Sequence, residues 1–292
     1  MPSLIDMRRR IRSVRNTQQI TKAMKMISAA RLRKAQERAF AARPFAGLLK
    51  EVLESLAARS TGQSDEEVHP LLKRRPPERV LALVLTGDRG LCGAFNTNIL
   101  RAAERFLGDH RTQQAEVTLI GRKGRDYFRR RPVKIRQEYV NIFSRLEYSH
   151  AREIASAIIA SYTEETIDAV FVIYNEFKSV ISQRVVVEEL LPLPEFRPSS
   201  EAVASSMKVD YIYEEPPQEI YSRLLPRYVE VQVYRALLES AAAEHAARMT
   251  AMDSATNNAG EMIDNLTLRM NRIRQAAITK EIIEVVSGAS AL

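Results

Sequence analysis

The sequence predicts an α/β fold, with a small domain of alternating strands and helices inserted between two long terminal helices that pair as an antiparallel coiled coil. Three observations carry this. The run from Tyr228 to Val286 holds no proline and only one glycine, Gly260, and from Met249 onward its apolar residues recur at every third and fourth position. The run from Leu4 to Arg43 also lacks both glycine and proline. Between the two the period turns strand-like, with short apolar runs separated by segments of helix length. That alternation is the pattern of a mainly parallel, Rossmann-like sheet.

The first helix opens at Ser3-Leu4-Ile5-Asp6, with Ser3 as N-cap and Asp6 three residues on. Leu4, Met7, Ile11 and Val14 form a coiled-coil stripe that turns polar at Thr17 and Gln18. It resumes through Thr21, Met24, Ile27 or Ser28, and Ala35. Pro44 is expected to kink or end the helix, and Phe45, Leu48, Leu49, Val52, Leu53 and Leu56 carry the helical pattern on to Arg59. Arg8, Arg9, Arg10, Arg12, Arg15, Lys22, Lys25, Arg31, Arg33 and Lys34 make its outer face basic. The expected organisation is a coiled-coil helix over 1–59, a polar linker over 60–77, an α/β domain over 78–214 and a second coiled-coil helix over 215–292.

Within the middle segment, Val80 to Leu85 is a continuous apolar run, as expected of a strand buried on both faces. A loop from Thr86 to Gly93 leads to a helix from about Asn96. Glu116 to Ile120 reads as a strand, followed by Gly121-Arg122-Lys123-Gly124 and a basic helix. A helix from Ser149 to Thr163 precedes strands at Ala169–Tyr174 and Ile181–Val187. Leu193 to Met207 is a Pro/Ser-rich insertion, and Tyr211-Ile212-Tyr213 adds a short strand before the last helix, which Pro226 should kink.

The last helix has the seam Met249, Met252, Thr256, Ala259, Ile263, Leu266, Met270, Ile273, Ala277 and Lys280. This is the 3.5-residue repeat of helices that wind on each other. At 1.5 Å per residue the run is roughly 90 Å long, so it needs a partner helix and a larger cage. Ala241, Ala242, Ala243, Ala246 and Ala247 give a thin, smooth surface, and Glu244 with Arg248 reads as an exposed i,i+4 pair. Gly288 is the expected stop. The nearly uncharged tail from Val285 to Leu292 fits a frayed end and a tip held in an apolar sleeve equally well.

Composition narrows the function classes. The 292 residues carry a formal charge of +8, one cysteine, four histidines and no tryptophan. A lone Cys92 allows no internal disulfide and fits a reducing compartment. The longest apolar stretches are too short to span a bilayer, and the basic start lacks a signal core, so a soluble intracellular protein is expected. The positive charge calls for an acidic partner.

Motifs for chemistry are sparse. The glycines at 87, 90 and 93 fit neither dinucleotide nor P-loop spacing, and a tight strand-to-helix turn accounts for them. His69, His110, His150 and His245 lack a second ligand at metal spacing, and Cys92 reads as a small buried residue of the turn. Glu188-Glu189 reads as a solvated strand end. The basic first helix has the charge of a nucleic-acid reader, but its arginines lie along the seam helix without a base-reading cluster, so acidic protein loops suit it better.

Two stretches are specific. Residues 20–36, ITKAMKMISAARLRKAQ, closely resemble the N-terminal hallmark of the F-type ATP synthase gamma subunit family, and residues 274–289, RQAAITKEIIEVVSGA, look like its C-terminal signature. Thr86 to Gly93 and Leu190-Leu191-Pro192-Leu193 match its central domain. The resemblance spans the chain in order. It departs at the Pro/Ser segment from Glu195 to Met207 and at Pro226, and it lacks the two-cysteine insert of the chloroplast form.

This resemblance implies a rotor shaft inside a ring of three alpha and three beta subunits, touching the epsilon subunit and the ring of c subunits. It implies that Lys22, Met24, Lys25, Arg274, Gln275, Thr279 and Glu281 contact beta-subunit loops. It implies nucleotide chemistry in the partners, with no catalytic residue, cofactor or metal here. It also implies a peripheral place on the cytoplasmic face of a bacterial membrane, and proton flow as the drive. The rival is a freestanding coiled-coil scaffold or nucleic-acid-binding adaptor.

Overall fold

The computed structural model describes residues 4–59, 69–194 and 217–290. The expected cap at Ser3 and the short strand at Tyr211–Tyr213 lie outside these residues, as does most of the Pro/Ser segment. The chain forms two compact units, one of residues 1–29 with 248–292 and one of residues 30–247. Helices α1 (Leu4–Arg59) and α5 (Pro217–Ser290) each contribute to both.

The unit of residues 30–247 is built on a sheet of β1 (Arg79–Leu85), β2 (Gln114–Ile120), β3 (Lys134–Tyr139), β4 (Ala169–Phe177) and β5 (Gln183–Leu191). The order is β3-β2-β1-β4-β5, parallel except for β5, which runs antiparallel to β4. Helices α2 (Phe95–Asp109), α3 (Arg122–Phe128) and α4 (Tyr148–Thr163) connect the parallel strands. β1 is buried on both faces, as its apolar run requires. Val80, Ala82 and Val84 pack with Ile99, Ala103 and Phe128 of α2 and α3. Leu81, Leu83 and Leu85 belong to the second core, which draws in Ile154 and Ile158 of α4, Leu49 and Leu53 of α1, and Val229 and Leu237 of α5.

Strand β3 carries no apolar run and gives no strand signal in the sequence. Its KIRQEY pattern suits an edge, where charge blocks further pairing. Lys134 and Arg136 both pair with Glu116 on the neighbouring strand.

Both helices continue through their prolines. α1 runs unbroken past Pro44 because Leu49, Leu53 and Leu56 beyond it are buried, and burial of three leucines outweighs the roughly 3 kcal/mol a helical proline costs. α5 likewise passes Pro226, and it reaches Ser290 rather than stopping at Gly288. Ala241, Ala242, Ala243 and Ala246 are core residues rather than a smooth outer surface. Glu244 and Arg248 are both buried, at 5% and 8% exposure, so they are not a solvated surface pair.

The described part of the 60–77 segment is strapped down. Leu71 sits in the core and its carbonyl accepts from Leu193 N. Tyr162 Oη donates to the Lys73 carbonyl, while the Arg75 guanidinium lies over the Tyr162 ring and donates to its carbonyl.

In the other unit α1 and α5 pack antiparallel. Met7 and Ile11 meet Leu266, with Val14, Ile263, Met270 and Ile273 alongside. Met252, Ala259 and Leu266 are buried and the seam residues between and beyond them are half-buried as far as Ala277; Lys280 is exposed. On α1, Ser28 (3% exposed) takes the seam position and Ile27 (55%) faces out.

Candidate functional site

In open parallel sheets a ligand binds beyond the carboxyl ends of the strands where strand order reverses. Here that place lies beyond β1 and β4, and the chain's own groups occupy it. The Glu244 carboxylate rests against Gly87, where an added Cβ would come within 2.9 Å of it. Gly87 N donates to Asn96 Oδ1, and Thr86 Oγ1 accepts from Gly124 N while donating to the Ile120 carbonyl. Gly121 has φ +94, and a Cβ there would collide with the Thr86 carbonyl at 2.0 Å, so this close approach requires glycine. Asp88 Oδ1 accepts from the backbone N–H groups of Arg122 and Asn141. The carboxylates of Asp88 and Glu244 and these hydrogen bonds fill the turn with the chain's own groups. Cys92 is buried in it, and Asn96 Nδ2 donates to its Sγ.

The helix pair carries the other candidate residues. A polar layer interrupts its apolar seam. Thr256 Oγ1 donates to Thr21 Oγ1 at 2.8 Å, and Thr21 donates onward to the Gln18 carbonyl. Gln18 Nε2 reaches the Thr256 carbonyl, and Lys25 Nζ pairs with Asp253 Oδ1. Directional contacts of this kind fix the register of two helices that apolar packing alone would let slide.

The residues expected to face a partner fall into two groups. Lys22 is exposed, Met24 is half-buried and Lys25 is half-buried against Asp253. Arg274, Gln275, Thr279 and Glu281 are all exposed. Arg274 lies 21 residues past Asp253, the partner of Lys25, which is about 32 Å along a helix. The two groups therefore lie at separate levels along the helix pair rather than in one cluster. Exposed apolar residues accompany each: Ile20, Met26 and Ile27 beside the first, and Ile278, Ile282, Ile283, Val285 and Val286 beside the second. Most of these gave no signal in periodicity; their visible mark was apolarity off the seam.

Glu189 is exposed, as expected of a strand end, but Glu188 is half-exposed and paired. Glu188 lies inside β5, and its Oε2 accepts from Arg235 Nη2 at 2.8 Å and from Tyr174 Oη at 3.2 Å. Burial pushes the Tyr174 phenol well above its ordinary pKa, which keeps it a donor. The cluster borders a cleft of about 680 Å³ between α1, β5 and α5, lined also by Lys50, Glu176 and Glu239. Among the described residues no group of three or more His, Cys, Asp or Glu is disposed to hold a metal, and no helix is long and apolar enough to cross a membrane.

The family model described as ATP synthase matches residues 3–292. The chain is 56% identical over 291 residues to the ATP synthase gamma chain of Solibacter usitatus, covering 100% of this chain and 99% of that one. It is 51% identical over 294 residues to the ATP synthase gamma chain of Pelotomaculum thermopropionicum, with 100% of both covered. Among solved structures, a chain of the central stalk and c-ring of the Tetrahymena thermophila mitochondrial ATP synthase aligns with a TM-score of 0.61 at 29% identity, over 81% of this chain and 99% of that one. A chain of the Euglena gracilis mitochondrial ATP synthase aligns with a TM-score of 0.69 at 18% identity, over 99% and 94% respectively, a likeness of fold.

Proposed function

The chain belongs to the gamma chains of the ATP synthase family, and from that premise we propose how this central-stalk subunit couples rotation to chemistry. It is the rotor of an F-type complex. Proton flow turns the c ring, the ring turns this chain, and the helix pair presents a different face to each of three beta subunits in turn. A rigid rod biases chemically identical sites only through unequal contacts with them. Nucleotide chemistry stays in the ring of alpha and beta subunits, and this chain supplies no catalytic residue and no cofactor. Epsilon and the c ring meet the chain at the sheet-bearing unit. The chain reaches the cytoplasmic face of the membrane only through the complex.

The observation that carries this reading is the last stretch of α5. Arg274, Gln275, Thr279 and Glu281 stand exposed among exposed Ile278, Ile282 and Ile283, a helical surface with both apolar and polar groups available to a partner. A charge-assisted hydrogen bond formed at one rotary angle only contributes about 1.5–3 kcal/mol, enough to favour that angle by ten-fold or more. The test replaces Arg274→Ala together with Gln275→Ala. Complexes of equal subunit composition, reconstituted in identical vesicles, should keep their shaft but lose ATP-driven proton pumping. Unchanged hydrolysis and pumping would remove this pair from the coupling contact. Salt-sensitive binding of the purified chain to nucleic acid, without assembly on alpha and beta subunits, would favour the adaptor reading instead.

A further inference from the structure

A shaft helix has to be held at a fixed angle about its own axis, because rolling it changes which side chains face outward. From Tyr228 to Leu238, α5 is gripped in the core mainly by apolar residues, among them Val229, Val231, Val233 and Leu237. Such packing opposes separation but has no direction of its own. Directional contacts come from two charged residues of α5. Glu230, nine-tenths buried, accepts from Tyr148 Oη of α4 at 2.6 Å, and Arg227 donates to the same oxygen. The Tyr148 ring also meets Tyr234 edge-on, so it lies against two α5 residues one turn apart. Arg235 donates to Glu188 of β5 at 2.8 Å, and Tyr174 of β4 holds that carboxylate from the sheet side.

Glu230 and Arg235 are five positions apart, which turns them about 140° around the helix and separates them by about 7.5 Å along it. One pair therefore engages an α4 residue and the other a β5 residue, on different sides of the same rod. Interdigitated packing already resists rolling, and directional contacts on two sides of the helix add an angular restraint that one contact alone supplies less well. Arg235–Glu188 is half-exposed on both sides, and pairs so open to water add little net stability, so what the contact supplies is direction.

We propose that Glu230–Tyr148 and Arg235–Glu188 are positioning residues that lock α5 against rolling in its socket. They thereby hold the outward face of the helix at a defined angle while the rotor carries load. The inference rests on the rotor reading, and its test separates the two. A variant with Tyr148→Phe, Glu230→Gln, Glu188→Gln and Arg235→Met removes both pairs while keeping side-chain size. In the assembled complex, a probe on this chain is followed during ATP-driven rotation, alongside proton pumping per ATP hydrolysed. The expected result is a wider spread of dwell angles and a loss in the pumping-to-hydrolysis ratio, with subunit composition and thermal stability retained. Should the fourfold variant fail to assemble, Tyr148→Phe alone, which deletes one hydroxyl and keeps the ring against Tyr234, should still widen the spread. Dwell angles and pumping ratio equal to wild type in the assembled variant overturn the lock and leave the rotor intact. A wild-type chain that does not turn in the complex overturns the rotor reading and the lock with it.

Discussion

One helix, α5, contains two stretches with opposite fates. From Tyr228 to Ala243 it is buried on nearly every side, with Val229, Val233, Leu237 and Ala242 inaccessible. From Arg274 to Ser287 most residues are exposed, including Ile278 at 49%, Ile282 at 57%, Ile283 at 59% and Val285 at 72%. Both stretches are rich in apolar residues and both lack glycine and proline. Apolar content therefore does not decide burial here; the available neighbour does. The first stretch meets a sheet face, α4 and α1 within one core. In the second, no described residue of α1 packs beyond the cluster in which Met7 meets Leu266, Met270 and Ile273. Covering an isoleucine or valine fully contributes about 1.5–3 kcal/mol. That gain is collected inside the chain in the first stretch and is not collected within the chain in the second.

The largest effect expected from this contrast lies in the socketed stretch. Leu237→Ala removes a fully buried side chain from a close-packed core and should cost about 3 kcal/mol. Urea denaturation of the purified chain measures it. A loss below about 1 kcal/mol would mean that the core collapses around the gap, and that this stretch is less tightly held than its burial indicates.

The contrast extends to charge, because the sheet-bearing unit places carboxylates inside. Asp168, 3% exposed, accepts from the Arg79 guanidinium through both oxygens and from Arg79 N. The hydrogen bonds from Arg79 hold its carboxyl below the usual aspartate pKa. A depressed folded pKa means that this stabilisation is complete above the unfolded value of about 3.9 and is lost as pH falls through the folded value. Asp168→Asn should cost about 2 kcal/mol at pH 7, the scale of charge-assisted hydrogen bonds. The difference between wild type and variant should shrink as pH falls below the aspartate range. A difference that stays constant down to pH ~3 would separate the acid response from this carboxylate.

What the sequence made legible follows the range of each interaction. The seam from Met249 to Ala277 is local, spaced every third and fourth residue, and the burial pattern follows it. Periodicity left Ile27 and Ser28 as alternatives, because the choice depends on how the facing helix is placed. Ser28 is small enough for the close approach and is the buried one. The alanines from Ala241 to Ala246 were legible as small but not as core, since a helix in a sheet-lined socket and a helix in a coiled coil both favour small residues. β3 leaves no mark in the sequence pattern because an edge strand needs charge rather than an apolar run. The pairing of Glu188 leaves no mark in the sequence because its partner Arg235 stands 47 residues away. The role proposed for the exposed residues from Arg274 to Glu281 comes from family resemblance alone, since no spacing or periodicity within the chain singles them out.

The smallest expected effect is at the exposed end, and it is the sharpest test of the contrast. Ile282→Ala with Ile283→Ala removes two apolar side chains of the same kind as those whose loss is costly in the core. Both are more than half exposed, so little apolar contact disappears within the chain. Alanine is also the better helix former by a few tenths of a kcal/mol. The two effects oppose each other, and the purified chain should change in stability by no more than about 0.5 kcal/mol, the usual range for surface positions. On the proposed reading, in which alpha and beta subunits cover this end, the same variant assembled with them should dissociate more readily. A loss above about 1 kcal/mol in the chain alone would exceed that surface range and require an intrachain neighbour for Ile282 or Ile283. No effect in either setting would mean that these side chains are covered by nothing, and that the end of α5 owes its place in the complex to its polar residues instead.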